Sequence, residues 1–237
     1  MTDWQFRPAR DHGLTPAERL RSHGREPGLG GLAISAAWRA LVRLYLQVMH
    51  RLRVEGRDHL PAAPFVVVAN HSSHLDALTI AAALPRALGR RAYALAAGDT
   101  FFASLPAAAF AAYAVNALPV WRKATTPADL LAMRQRLIED GAVLILFPEG
   151  TRTRTGDMAR FRPGVGALVA GQDIPVVPCF LDGAYAAWPP TRRLPRPGRL
   201  RLRIGLPLRF EATQADRAGM MQVAEACEAA VRALARE

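Results

Sequence analysis

Cysteine is nearly missing from this chain: among 237 residues only Cys179 and Cys227 carry a thiol, far apart and without a Cys-x-x-Cys pair. Two such residues give no disulfide framework, which fits a reducing compartment. Histidine is confined to the first third, since His12, His23, His50, His59, His71 and His74 are all there are. A catalytic zinc site usually recruits further His or carboxylate ligands from distant loops, so the histidine census disfavours a metal, with carboxylates left as the remaining donors. There is no Gly-x-Ser-x-Gly elbow, no Walker loop and no dinucleotide fingerprint, which argues against a serine esterase of the α/β-hydrolase plan and against nucleotide-cofactor folds. Zinc-finger spacing, a helix-turn-helix and an RNP-like aromatic strand are missing too, so no nucleic-acid partner is expected. The opening residues, Met1 to Arg7, lack the basic-then-apolar order of a secretory signal, and a cytosolic location is the default expectation.

What is present is arginine and aliphatic bulk. The balance of 31 Lys+Arg against 20 Asp+Glu leaves +11, nearly all of it guanidinium. Such charge suits anionic lipid heads, phosphorylated substrates or nucleic acid. Half of the residues are apolar, enough for one well-cored domain. Residues 1 to about 30, rich in Arg, Pro and Gly, read as an arm or flexible leader.

From Leu32 to about Arg53 the pattern is that of a long helix, with Trp38, Leu41, Leu44, Tyr45, Val48, Met49 and Leu52 on one stripe and Arg39, Arg43, Arg51 and Arg53 alongside. It either packs its stripe on a sheet or lies in a membrane interface with arginines toward lipid phosphates. Phe101 to Trp121 contains no charged residue and is the one run of membrane-spanning length; Pro106, Asn116, Pro119 and the many alanines argue instead for a buried or interfacial helix to about Ala112, then a strand near Tyr113 to Trp121. Pro64–Ala69, Ala92–Ala97, Ala142–Phe147, Ile174–Phe180 and Leu200–Ile204 read as strands; Ala77–Leu84, Thr126–Asp140, Gly164–Ala170 and Ala215–Arg236 read as helices. The alternation predicts an α/β fold, a mixed, largely parallel sheet flanked by helices with an N-terminal amphipathic helix.

The chemistry is concentrated where one strand gives way to a helix, in Asn70-His71-Ser72-Ser73-His74-Leu75-Asp76. Ligands of open α/β sheets bind at the carboxyl ends of strands. Three readings stand. His71 and Asp76 form a dyad in which the carboxylate fixes the imidazole tautomer; five residues of regular helix would separate them by about 140°, so this needs a tight turn, for which Ser72, Ser73 and Asp76 are suitable. Alternatively His71, His74 and Asp76 hold a metal for hydrolysis, His-x-x-His-x-Asp resembling the ligand runs of some zinc hydrolases. Or Asp76 caps the helix, the histidines are structural, and the chain is a non-catalytic basic membrane-binding protein.

Four ordered blocks are similar to those of the phospholipid/glycerol acyltransferases, the 1-acylglycerol-3-phosphate acyltransferase family. The His-x4-Asp block is His71–Asp76 after Asn70; the second is Leu118-Pro119-Val120-Trp121-Arg122; the third is Phe147-Pro148-Glu149-Gly150-Thr151-Arg152; the fourth is Ile174-Pro175-Val176-Val177-Pro178. The likeness runs from about Val54 to Leu206, and its one departure, Asn116-Ala117-Leu118 where glycine and isoleucine are common, bears on acceptor preference. It implies an acyltransferase-like fold, with an arm over 1–30 and a single acyltransferase domain over 31–237. It also implies transfer of a fatty acyl group from acyl-CoA or acyl carrier protein to a lysophospholipid-like hydroxyl at a membrane surface, with no metal or cofactor. His71 and Asp76 would be catalytic, and Arg122, Glu149, Gly150, Thr151 and Arg152 would bind substrate, the arginines holding the acceptor's phosphate. Glu149 is expected to hold an arginine or the Gly150-Thr151 turn. The expected location is the cytoplasmic face of a membrane, peripheral or interfacially anchored.

Overall fold

The computed structural model describes residues 9–22, 25–26, 29–98, 102–120 and 126–236. Among them β1 (Arg53–Glu55), β2 (Phe65–Ala69), β3 (Ala92–Ala97), β4 (Ala117–Val120), β5 (Val143–Leu146), β6 (Val176–Asp182) and β7 (Arg201–Ile204) form one sheet in the order β1-β7-β6-β2-β5-β3-β4. The five strands from β6 to β4 are mutually parallel, and β7 with β1 runs against them at one edge. A strand in the middle of a parallel sheet is covered on both faces and reads as a continuous apolar run. The Phe-Val-Val-Val-Ala of β2 is such a run, and all five residues are buried.

Alternation along β2 assigns its two faces. Phe65, Val67 and Ala69 join one core cluster with Val42 and Leu46 of α2 (Leu29–His50) and Ile80 of α3 (Asp76–Ala83). Val66 and Val68 join the other, with Val165 and Leu168 on a helix at Gly164–Val169 and Val223, Cys227 and Val231 on the C-terminal helix at Arg217–Leu234. The result is a helix–sheet–helix sandwich with β2 at its centre. Each Val, Leu, Ile or Phe side chain among them taken from water stabilises the fold by about 1.5–3 kcal/mol.

The helix and then strand expected between Phe101 and Trp121 are present: within 102–120 a nine-residue helix, Leu105–Tyr113, is followed by β4, with Asn116 at φ 54° between them; Phe101 and Trp121 lie outside the described residues. Among those described, Gly30–His50 within α2 is instead the helix long and apolar enough to cross a membrane by length and composition. The expected stripe of α2 is divided: Trp38 and Tyr45, with Leu52 just past the helix end, pack on the core, while the rest of it faces outward. Val42 and Leu46 are buried, whereas Ile34, Leu41, Leu44 and Val48 are 55–66% exposed, and Arg43 donates to the carbonyls of Ala82 and Leu84 at the end of α3 rather than pointing away from the protein. One expectation is corrected: the long helix stops at His50 rather than at about Arg53, and Arg53 instead opens an edge strand, β1, that three residues alone do not announce.

The described part of the first thirty residues packs on the body. Leu20 of the helix Pro16–Arg21 joins a small cluster with Phe102 and Ala108. Arg25 is buried and donates to the carbonyls of Leu20, Ala112 and Ala117; burial, with Arg136 second, lowers its pKa to about 10.

Candidate active site

β2 and β5 lie side by side and run the same way, so the segments leaving them, Asn70–Asp76 and Phe147–Arg152, emerge together. The first is bound tightly to its surroundings. The Asn70 amide donates to the Leu181 carbonyl at 3.0 Å and accepts from Leu181 N–H at 2.8 Å, extending the ladder of β6 by one side chain. Ser73 Oγ donates to the Trp188 carbonyl at 2.8 Å and accepts from Leu75 N–H.

Asp76 is the hub of this turn. It does not cap α3, which begins after Leu75 without a side-chain cap. Its fully buried carboxylate faces backward, and Oδ2 accepts from Ser72 N–H at 2.7 Å, Ser73 N–H at 2.8 Å and His71 Nδ1 at 2.8 Å. Three donors on one oxygen curl the five-residue interval into the tight turn that a continuous helix would forbid. Because the carboxylate oxygen can only accept, Nδ1 carries the proton, and the lone pair of a neutral His71 ring sits on Nε2. The His71 side chain is 23% exposed. Its ring stacks on Phe147, centroids 4.1 Å apart and planes inclined by 17°, which joins the two loops at the reactive group.

Glu149 joins them a second time. It is buried, with Oε1 accepting from His71 N–H at 2.6 Å and Oε2 from Ala159 N–H at 2.9 Å; burial is the main influence and raises its pKa. It therefore braces backbone, not the arginine or the turn expected of it. Gly150 makes that turn: its N–H donates to the Phe147 carbonyl at 3.0 Å, φ is +77°, and a Cβ there would stand 3.1 Å from Arg162 Nε, so glycine is required. Thr151 is exposed. Arg152 places Nη1 2.5 and 2.9 Å from the two ring nitrogens of His74. Burial, then Arg152, lowers the His74 pKa, and burial lowers that of Arg152. His74 thus turns to a guanidinium and not toward a shared centre with His71 and Asp76; among the described residues no group of three His, Cys, Asp or Glu converges to hold a metal ion.

Of the residues singled out in the sequence, His71, Asp76, Glu149, Gly150 and Arg152 are brought into one site, Thr151 lies at its rim, and Arg122 lies outside the described residues. Two contributors were not anticipated. Phe147 stood inside its block, where its place before Pro148 was the available signal. Trp188, whose carbonyl also accepts from His74 N–H and whose ring lies 4.9 Å from that of His74, is more than a hundred residues away in sequence and gave none.

Residues 51–182 match the model of the family described as Acyltransferase. The chain is 29% identical over 182 residues to 1-acyl-sn-glycerol-3-phosphate acyltransferase alpha of Mus musculus, an overlap covering 74% of this chain and 62% of the mouse protein. It is 29% identical over 143 residues to the chloroplastic 1-acyl-sn-glycerol-3-phosphate acyltransferase BAT2 of Brassica napus, covering 59% of this chain and 40% of that protein. The chain thus spans less than two thirds of these relatives' length. The crystal structure of the 1-acyl-sn-glycerophosphate (LPA) acyltransferase PlsC from Thermotoga maritima has the same fold, with a TM-score of 0.63 at 22% identity, over 86% of this chain and 79% of that one.

Proposed function

This chain belongs to the Acyltransferase family, and from that premise we propose that it moves a fatty acyl group from a thioester, acyl-CoA or acyl carrier protein, to the free hydroxyl of a 1-acylglycerol-3-phosphate or similar lysophospholipid. The observation that carries the reading is the partly exposed His71 ring held at 2.8 Å by a fully buried Asp76. Nε2 of His71 takes the acceptor's hydroxyl proton as that oxygen attacks the thioester carbonyl. Asp76 keeps Nδ1–H oriented and offsets the charge of the imidazolium. Collapse of the tetrahedral adduct breaks the C–S bond, and the proton on Nε2 passes to the departing sulfur. Ester and free thiol are the products, so the balance needs neither metal nor cofactor.

Phe147 limits the swing of the ring, and Glu149 fixes the His71 backbone from beneath, so the base keeps one orientation. Arg152, with Arg122, binds the acceptor's phosphate; the neutral His74 ring supports the guanidinium of Arg152 without competing for its charge. The exposed apolar face of α2 seats the enzyme in the membrane interface at the cytoplasmic face, where both the acceptor and the product reside.

The purified chain should release free thiol from an acyl donor only when lysophospholipid is added, and a panel of acceptors against one acyl-CoA and one acyl carrier protein assigns the donor. Thiol release at equal rate without acceptor would make it a thioesterase and overturn the reading.

A further inference from the structure

We infer that the edge of the sheet remote from β4 carries a second anion site, separate from the Arg152 region, which takes the phosphate of an anionic lipid head group. Arg51, Arg53, Arg199 and Arg201 with Leu200 line a cavity of about 180 Å³, well above the ~10–15 Å³ that a single water needs. Arg201 has Glu55 at 3.5 Å; for the side chains of Arg51, Arg53 and Arg199 no carboxylate partner is present among the described residues. Four guanidinium groups gathered around one space outnumber the two acidic residues nearby in the sheet, Glu55 and Asp182, and repel one another unless an anion lies between. Arginine is the side chain best shaped to grip phosphate oxygens.

The site is built by the fold. The lead-in to β7 is stitched to the last turn of α2: Gly198 N–H donates to the Met49 carbonyl and Leu200 N–H to that of His50, while Arg53 N–H donates to the Leu200 carbonyl. Arg51 sits at φ 44°, a left-handed position that ordinarily falls to glycine, and an arginine kept there is a reason to look for a function. Arg53 pairs in register with Arg201, and Arg201 with Asp182 at the end of β6. The cavity therefore lies on the edge of the sheet from which His71 emerges, two or three strands from β2, or ~10–15 Å at the usual strand spacing.

The choice of a lipid follows from continuity with α2. Val48 and Met49, 66% and 37% exposed, occupy the helix turn that ends at Arg51. A phosphate in the cavity would thus lie at the level of the head groups when that apolar face enters the acyl region. The site does not depend on the acyl-transfer reading, and its test requires no activity.

The full chain is floated with vesicles of phosphatidylcholine containing or lacking phosphatidic acid, and compared with two variants matched in charge. One is Arg51→Gln, Arg53→Gln, Arg199→Gln and Arg201→Gln; the other is Arg57→Gln, Arg91→Gln, Arg217→Gln and Arg236→Gln, drawn from exposed positions that do not line the cavity. The first should lose about tenfold or more in affinity for the anionic vesicles, the second less than threefold, with thermal unfolding of both unchanged. Replacing the four cavity arginines by lysine keeps the charge without the planar fork and should restore only part of the binding. Equal losses in the two glutamine variants would reduce the cavity to general surface charge and overturn the proposal. So would a thermal shift with adenosine 3′,5′-bisphosphate that needs the cavity arginines while vesicle binding does not, because the phosphate held would then be a soluble nucleotide's.

Discussion

The turn from Asn70 to Asp76 and the helix α2 meet their surroundings in opposite ways. In the turn, Asn70, Ser73 and Asp76 have partners at 2.7–3.1 Å, and the neighbouring Glu149 closes the frame at 2.6 and 2.9 Å. Along α2, Val42 and Leu46 face the core while Ile34, Leu41, Leu44 and Val48 face outward, more than half exposed. A buried polar group left without a partner is costly, so a few polar residues at fixed spacing nearly dictate their own geometry. An apolar side chain is indifferent to what takes it out of water, whether sheet, second helix or lipid. Its pattern reveals that something must cover it and leaves open what.

That contrast can be broken or sharpened by substitution. The largest effect is expected at the base: His71→Ala should lower kcat/KM by about 10²–10⁴-fold in the thiol-release assay, with the urea midpoint little changed because the ring is partly exposed. Asp76→Asn should cost comparable activity and also stability, since an amide in the same pose turns either an oxygen or a donor toward three N–H groups. Next comes the inward face of α2, where Leu46→Ala removes a fully buried side chain and should cost ~2–5 kcal/mol in equilibrium unfolding. Glu149→Gln keeps the shape of the brace but sets an amide N–H₂ against one of the two backbone donors; a loss of ~1–3 kcal/mol, accompanied by falling kcat, is expected. Activity lost without stability would give Glu149 a direct part in the chemistry.

A smaller effect is set by pH. His50 and His74 are both held below the ordinary histidine value of 6.5 by burial, so between that value and their folded pKa the unfolded chain binds more protons than the folded one. Their contribution to stability is present above pH 6.5 and is lost as pH falls through this window, and the urea midpoint should drop on the acid side. His50→Asn with His74→Asn should flatten that slope. Smallest for stability is the outward face of α2. Leu44→Ser with Val48→Ser should shift unfolding by no more than ~0.5 kcal/mol while vesicle binding weakens, and a cost like that of Leu46→Ala would mean that the face is covered by protein.

Much of the fold was legible because its strands declare themselves. β2, β5 and β6 are apolar runs bounded by proline, glycine or polar residues, and burial on both faces demands such runs. β1 was not legible, since a three-residue edge strand exists only through its pairing with β7. The site divided in the same way. His71, Asp76 and the Phe147–Arg152 loop stood out as short polar blocks after strands, but the job of Glu149 did not: nothing local says that a carboxylate will accept the N–H of a residue 78 positions earlier. Trp188 reaches His74 only because β6 lies beside β2, and the arginine cavity forms only when β7 folds back against β6.

The sequence by itself determined the parallel α/β core, the strand-to-helix turn that carries an imidazole and a carboxylate, and the excess of arginine. Spacing, burial and hydrogen-bonding demand act over a few residues and leave their mark there. Only the tertiary structure decided which face of α2 is packed, that Glu149 locks one loop onto the other, and that Arg51, Arg53, Arg199 and Arg201 share one space. Those are contacts between distant segments, and their energies exist only once the sheet has set the order in which its strands lie.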